Sequence, residues 1–150
     1  DYTVPPQTAD SAPVVYAWGE SKVKFKNPSR FRYLKYELLA SYDGYGALQD
    51  FRITPEPLTS PEIVSVSSEA DGYAAAGIFK PNESWQSHKN HKGKFPHCLV
   101  IDFMQPIEIT EINTLARPGF QLGMPTKFKI YASNNLKEWH RVSAVNVFED

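Results

Sequence analysis

The 150 residues fall within the roughly 100–200 that one domain occupies, so a single compact core is expected. Lys and Arg number 16 against 17 Asp and Glu, a formal net charge of −1, which removes the electrostatic case for duplex nucleic acid or an acidic membrane as the main partner. Cys98 is the only cysteine, so neither an intramolecular disulfide nor a cysteine-based metal cluster can form, and it reads as a small buried side chain in the run Cys98-Leu99-Val100-Ile101.

The opening, Asp1-Tyr2-Thr3-Val4-Pro5-Pro6, is polar and contains proline, unlike a signal peptide; a removed leader or excision from a longer chain would leave the same start. No apolar stretch approaches the roughly 18–20 residues that span a bilayer. Val14-Val15-Tyr16-Ala17-Trp18 and Val23-Lys24-Phe25 read as short strands. Arg32-Tyr33-Leu34-Lys35-Tyr36-Glu37-Leu38 then alternates strictly, with Tyr33, Lys35 and Glu37 on one face and Leu34, Tyr36 and Leu38 on the other, the pattern of a half-buried strand.

Ser41-Tyr42-Asp43-Gly44-Tyr45-Gly46 mixes residues that tolerate positive φ with two large aromatics, and Leu48-Gln49-Asp50-Phe51-Arg52-Ile53 resumes the alternation; the pair reads as strand, functional loop, strand. Thr54 to Pro61 contains Pro55, Pro57 and Pro61, which excludes a helix and predicts a connector. Ile63-Val64-Ser65-Val66 follows, then a long polar stretch from Ser67 to Pro96. Strands are expected at Cys98 to Phe103, Ile107 to Leu115, Thr126 to Ser133 and Trp139 to Val147. Their short spacing, with turns such as Asn134-Asn135, indicates an all-β sandwich or barrel. Helix is confined to a turn or two around Ala74-Ala75-Ala76.

The pieces Trp85-Gln86-Ser87, Val100-Ile101-Asp102-Phe103, Ile109-Thr110-Glu111-Ile112, Ala116-Arg117-Pro118-Gly119, Phe128-Lys129-Ile130-Tyr131-Ala132-Ser133 and Glu138-Trp139 are weak singly and specific in their order. From Ile63 to Val147 they resemble the discoidin family, also called coagulation factor V/VIII C-type domains, which includes the family-32 carbohydrate-binding modules. The resemblance implies a galactose-binding-domain-like jelly-roll β-sandwich.

Residues 1–54 resemble the same family at its C-terminal end: Phe31 to Leu38 looks like its late strand and Ala47-Leu48-Gln49-Asp50-Phe51 like its closing strand. The rotated order has two readings, a circularly permuted single domain over 1–150 or a cut across two tandem domains. The permutant needs no incomplete core, since half a sandwich from each of two domains would leave unpaired edges and exposed apolar faces.

A sugar site needs a flat apolar surface for the ring and a few fixed hydrogen-bonding groups for its hydroxyls. The resemblance places such a site at Glu69, His88, Arg117 and Tyr42 or Tyr45, on separate loops. Many sugar-binding members of the family carry a histidine immediately after the loop tryptophan, where this chain has Gln86, with His88 two positions later. Arg117 offers a planar fork of donors in the loop Arg117-Pro118-Gly119-Phe120. Trp85 and Phe120 are further candidate ligand contacts, although the family usually packs this tryptophan in or beside the core, with its flanking residues reaching the ligand.

The stretch from Ser87 to His97 holds three Lys and three His with no acid, which suits uronate, sulfate or phosphate groups; its histidines lack zinc-ligand spacing. The family's structural calcium loop departs from type at Phe79-Lys80-Pro81-Asn82, where Lys80 replaces an aspartate, leaving Asn82 and Asp50 as weak calcium candidates.

No Gly-x-Ser-x-Gly elbow, phosphate loop or dinucleotide fingerprint occurs, so the chain is expected to bind rather than catalyse. The resemblance implies a glycan ligand, galactose-type or acidic, and an extracellular or cell-surface setting within a larger multidomain protein or assembly. The alternative partner is a membrane phospholipid or a protein receptor, with Phe120, Leu122 and Met124 as apolar spikes.

Overall fold

Alternation between Arg32 and Leu38 is the seed of the architecture. In the computed structural model, which describes residues 14–15, 20–41, 43–115, 125–142 and 146–147, this stretch is the middle of one long strand. The strands are β1 (Val14–Val15), β2 (Glu20–Ser41), β3 (Ala47–Thr54), β4 (Glu62–Val66), β5 (Trp85–Gln86), β6 (His97–Leu115), β7 (Pro125–Ser133), β8 (His140–Arg141) and β9 (Asn146–Val147). Two short 3₁₀ helices, Ala75–Phe79 and Lys89–His91, interrupt the polar stretch before β6. The fold is an all-β, discoidin-like jelly-roll sandwich.

Two expected pairs of strands are each a single strand. Val23–Phe25 and Arg32–Leu38 are fused in β2, and Cys98–Phe103 and Ile107–Leu115 are fused in β6. The two run antiparallel as a ribbon whose register shifts between Lys24 and Ser29 and again between Phe31 and Tyr33. Such irregularities, β-bulges among them, bend a strand and sharpen its twist. Met104, at φ 70°, turns β6 at the same level.

Beyond the bend the ribbon changes partners, and this creates the two layers. On one side, residues 33–38 of β2 and 97–102 of β6 are flanked by β7 and β4. On the other, residues 20–31 of β2 and 107–115 of β6 are flanked by β1 and β3, with β5 beyond β3. The early strands β2 and β3 therefore pair directly with the later strands β6 and β7, in one continuous network.

The register aligns the inward rows. Leu34 pairs with Ile101 and Ala132, Tyr36 with Leu99 and Ile130, and Leu38 with His97 and Phe128. These eight side chains and that of His97 are all buried. Ile109, Ile112, Phe51, Ile53, Leu48 and Trp85 join them from the second layer in one cluster. Each large apolar side chain enclosed this way contributes about 1.5–3 kcal/mol. The outward row Tyr33, Lys35, Glu37 is half-buried, and Lys35 Nζ lies 4.7 Å from the Trp139 ring and 5.1 Å from that of Tyr131.

Candidate functional site

At one end of the sandwich the loop between β2 and β3 is held by hydrogen bonds that its own sequence sets up. Gly44 N–H donates to Ser41 Oγ (3.1 Å) and Tyr45 N–H to Asp43 Oδ1 (3.0 Å), while Gly44 takes φ +87°, a conformation that costs glycine nothing. The loop is then tied to the segment before β6. Gly44 O accepts from Gly93 N–H (2.9 Å) and from His97 Nε2–H (2.8 Å). Gly46 N–H donates to Ser87 Oγ (2.9 Å), and Ser87 N–H returns a bond to Gly46 O (2.8 Å).

A third segment joins through Ser68. Its Oγ accepts from His88 N–H (3.0 Å), its carbonyl accepts from Trp85 Nε1–H (2.9 Å), and Ala70 N–H donates to Gln86 O (2.8 Å). These bonds tie the three separate segments that carry Glu69, Tyr45 and His88 into one rim.

Each has a defined chemistry there. His88 Nδ1 accepts from Asn90 N–H at 3.1 Å, which assigns the ring proton to Nε2 and makes that atom a donor. Glu69 is exposed, and its Oε1 accepts from Ala75 N–H at 3.0 Å at the start of the first 3₁₀ helix. Tyr45 is half-buried, with Lys92 Nζ 5.6 Å from its ring centroid. Lys89, Lys92 and Lys94 are all exposed, so the rim is locally cationic beside an aromatic surface.

Trp85 corrects one expectation. It has no exposed surface, because β5 pairs with β3 at Leu48 and turns the indole into the core, where Ser68 O takes its N–H. It supports the rim from beneath and offers no face to a ligand. Arg117, Phe120 and Tyr42, with Leu122 and Met124, lie outside the described residues. Leu115, the last described residue before Arg117, pairs with Gln49, next to the Leu48–Trp85 pair.

Asp50, at φ 51°, lines a groove of about 710 Å³ together with Arg52 and Lys80, and Asn82 is not among its lining residues. The Asp50 carboxylate lies 3.9 Å from Arg52 Nη2. Calcium takes six to eight oxygens. The groove sets two carboxylates, Asp50 and Glu56, beside two cations, Arg52 and Lys80, and among the described residues no three His, Cys, Asp or Glu side chains are grouped to hold a metal.

His97 is the residue that sequence reading missed. Taken only as one imidazole of a basic loop, it is a fully buried anchor. The signal was present: His97, Leu99, Ile101 and Phe103 follow the period of two that defines an inward face.

The profile of the F5/8 type C domain matches residues 62–150. The chain belongs to the F5/8 type C domain family. F5/8 type C domains bind carbohydrates, phospholipids or proteins and are generally non-catalytic. No curated protein matches the chain. Among the described residues no helix is long and apolar enough to cross a membrane.

Proposed function

We propose that this F5/8 type C domain is a non-catalytic carbohydrate-binding module, extracellular or at the cell surface, that grips a glycan at the rim formed by Tyr45, His88 and Glu69. The observation that carries the reading is the cross-tying of three loops, Gly44 to Gly93 and Ser68 to His88, which fixes an aromatic surface, an imidazole donor and a carboxylate acceptor before any ligand arrives. Preorganised groups of this kind spare a ligand the cost of ordering the loops. Arg117, on the loop that follows Leu115, supplies the charged fork in this proposal, with Tyr42 and Phe120 as further contacts. The exposed lysines of the 88–97 segment favour acidic glycans over neutral ones.

A glycan array that includes galactose, N-acetylgalactosamine and galacturonate tests the proposal. Hits are expected, weakened by Arg117→Ala and by Tyr45→Ala. An array without hits, combined with liposome sedimentation that depends on Phe120 and Leu122, would replace the glycan by phospholipid. Failure of both would leave a protein receptor.

A further inference from the structure

The groove around Asp50 borders a strand edge that the described residues leave open. β6 runs along one edge of β3 from Gln49 to Thr54, whereas β5 covers the other edge only at Ala47 and Leu48. Among the described residues nothing else pairs with β3. Backbone N–H and C=O groups that alternate along such an edge are a template for another strand. Open edges are commonly capped by the next stretch of chain. Here that stretch is the connector across the groove, and Pro55, Pro57 and Pro61 deny it the N–H groups needed to close the sheet.

The groove has the size and lining of a binding site. Its volume is about 710 Å³, inside the roughly 300–1,000 Å³ of ligand pockets. Phe51, Ile53, Ile78 and Phe79 give it an apolar floor, with Phe51 and Phe79 packed edge to face at 5.9 Å. Acid and base alternate on the β3 side, at Asp50 and Arg52, and Glu56 and Lys80 add one of each. The Arg52 side chain is 76% exposed. Leu58, on the connector beside the lining Pro57, is 96% exposed.

We propose that this edge is a second binding site, separate from the rim, and that its ligand is an extended polypeptide segment which adds to β3 as an antiparallel strand. The segment carries an acidic side chain two residues before a basic one. Antiparallel pairing sets its acid against Arg52 and its base towards Asp50, the opposite-charge pairing that favours one register. Main-chain hydrogen bonds to β3 supply affinity, and the charges and the apolar floor supply selectivity.

The test uses the full chain, isotope-labelled for NMR, and the peptide acetyl-Thr-Val-Glu-Val-Lys-Thr-amide. Saturating peptide is expected to slow amide exchange at one alternate set of residues between Phe51 and Thr54 by roughly tenfold. Two further peptides, each N-methylated on one alternate set of residues, separate strand addition from side-chain binding. Only the set facing β3 donates to it, so one methylated peptide is expected to bind and the other to fail. Equal behaviour of the two, whether both bind or both fail, overturns the proposal. Arg52→Glu, at a position outside the core, is expected to weaken the unmethylated peptide about fivefold, and an unchanged affinity also overturns it. Sedimentation of the chain alone covers the remaining occupant: a dimer dispersed by Arg52→Glu would assign the edge to a second copy and not to a separate peptide.

Discussion

Arg32 and Asp102 face each other across the bend of the β2–β6 ribbon, joined by two hydrogen bonds, Nε–H to Oδ1 at 2.9 Å and Nη2–H to Oδ2 at 3.0 Å. Asp102 Oδ1 also accepts from Met104 N–H at 2.7 Å, so one carboxylate clamps both strands where they pass between layers. Hydrogen bonds from Arg32 hold the Asp102 carboxyl below its ordinary value of 3.8, against a smaller opposing effect of burial. A carboxylate with a depressed folded pKa adds stability above its unfolded pKa and loses it as the pH falls through the folded value. Urea midpoints of the protein are therefore expected to drop below about pH 4. In Asp102→Asn the midpoint at pH 7 should be lower and this part of the acid limb flatter; an acid limb identical to wild type would deny the clamp.

A second prediction concerns the tie between His97 and Gly44. The buried imidazole donates from Nε2 to Gly44 O, one of two bonds that this carbonyl accepts. His97→Leu removes the donor and leaves the bond from Gly93 N–H in place. Such a bond is worth about 0.5–1.5 kcal/mol net. The variant should stay folded, lose about 1 kcal/mol in denaturant unfolding, and show faster amide exchange in the 43–46 loop. A stability loss without faster exchange there would make His97 a packing residue only.

Much of this arrangement was legible before the structure. The alternation in Arg32–Leu38 identified the inward Leu34, Tyr36 and Leu38 because a pleated strand with one buried face leaves no freedom in phase. The unbroken length of β2 and β6 was hidden by Pro28 and Pro106. Proline usually marks the end of a central strand, yet a register shift lies between Lys24 and Ser29, where proline is tolerated. Two-residue β5 has no period to read, and the gathering of Tyr45, His88 and Glu69 depends on long-range bonds from Gly44, Ser68 and Ser87 that no local pattern announces.

Gly46 offers a third test. A Cβ at this position would lie 2.7 Å from Trp85 Cη2 and 3.1 Å from His97 Cβ. The Trp85 ring tip belongs to a flexible side chain in principle, but a fully enclosed indole with its N–H engaged has little room to retreat. Gly46→Ala is expected to cost about 1–3 kcal/mol as an overpacked site, with altered tryptophan fluorescence. Gly72→Ala is the contrasting control, because nothing lies within 4 Å of its Cβ. Its φ of +81° leaves only backbone strain, about 1 kcal/mol, and the fluorescence should be unchanged.

Salt and charge report on the rim. If exposed lysines of the 88–97 segment draw an acidic glycan, Lys92→Ala should weaken uronate binding more at low than at high ionic strength, since screening already removes much of the attraction near 0.15 M salt. It also strips the cation from the Tyr45 face, where a contact of this kind is worth about 0.5–1 kcal/mol at an exposed site. The expected loss is therefore about two- to fivefold at low salt. Isothermal titration with galacturonate at two salt concentrations measures it, and an equal loss at both would remove charge attraction from the account.

Trp85 and Tyr45 separate support from contact. Because Trp85 is enclosed and paired through β5, Trp85→Ala should cost about 3–5 kcal/mol by leaving a cavity. Trp85→Phe keeps part of the volume but orphans Ser68 O, and should unfold earlier while binding glycan with unchanged affinity wherever it remains folded. Tyr45→Ala reverses the pattern: its half-buried ring lies on the loop tip, so the unfolding midpoint should move little while glycan affinity falls roughly tenfold. Comparing the two variants by denaturant titration and by binding at one temperature decides between the roles. A Trp85→Phe protein that is stable but does not bind would place the indole at the ligand, contrary to its burial here.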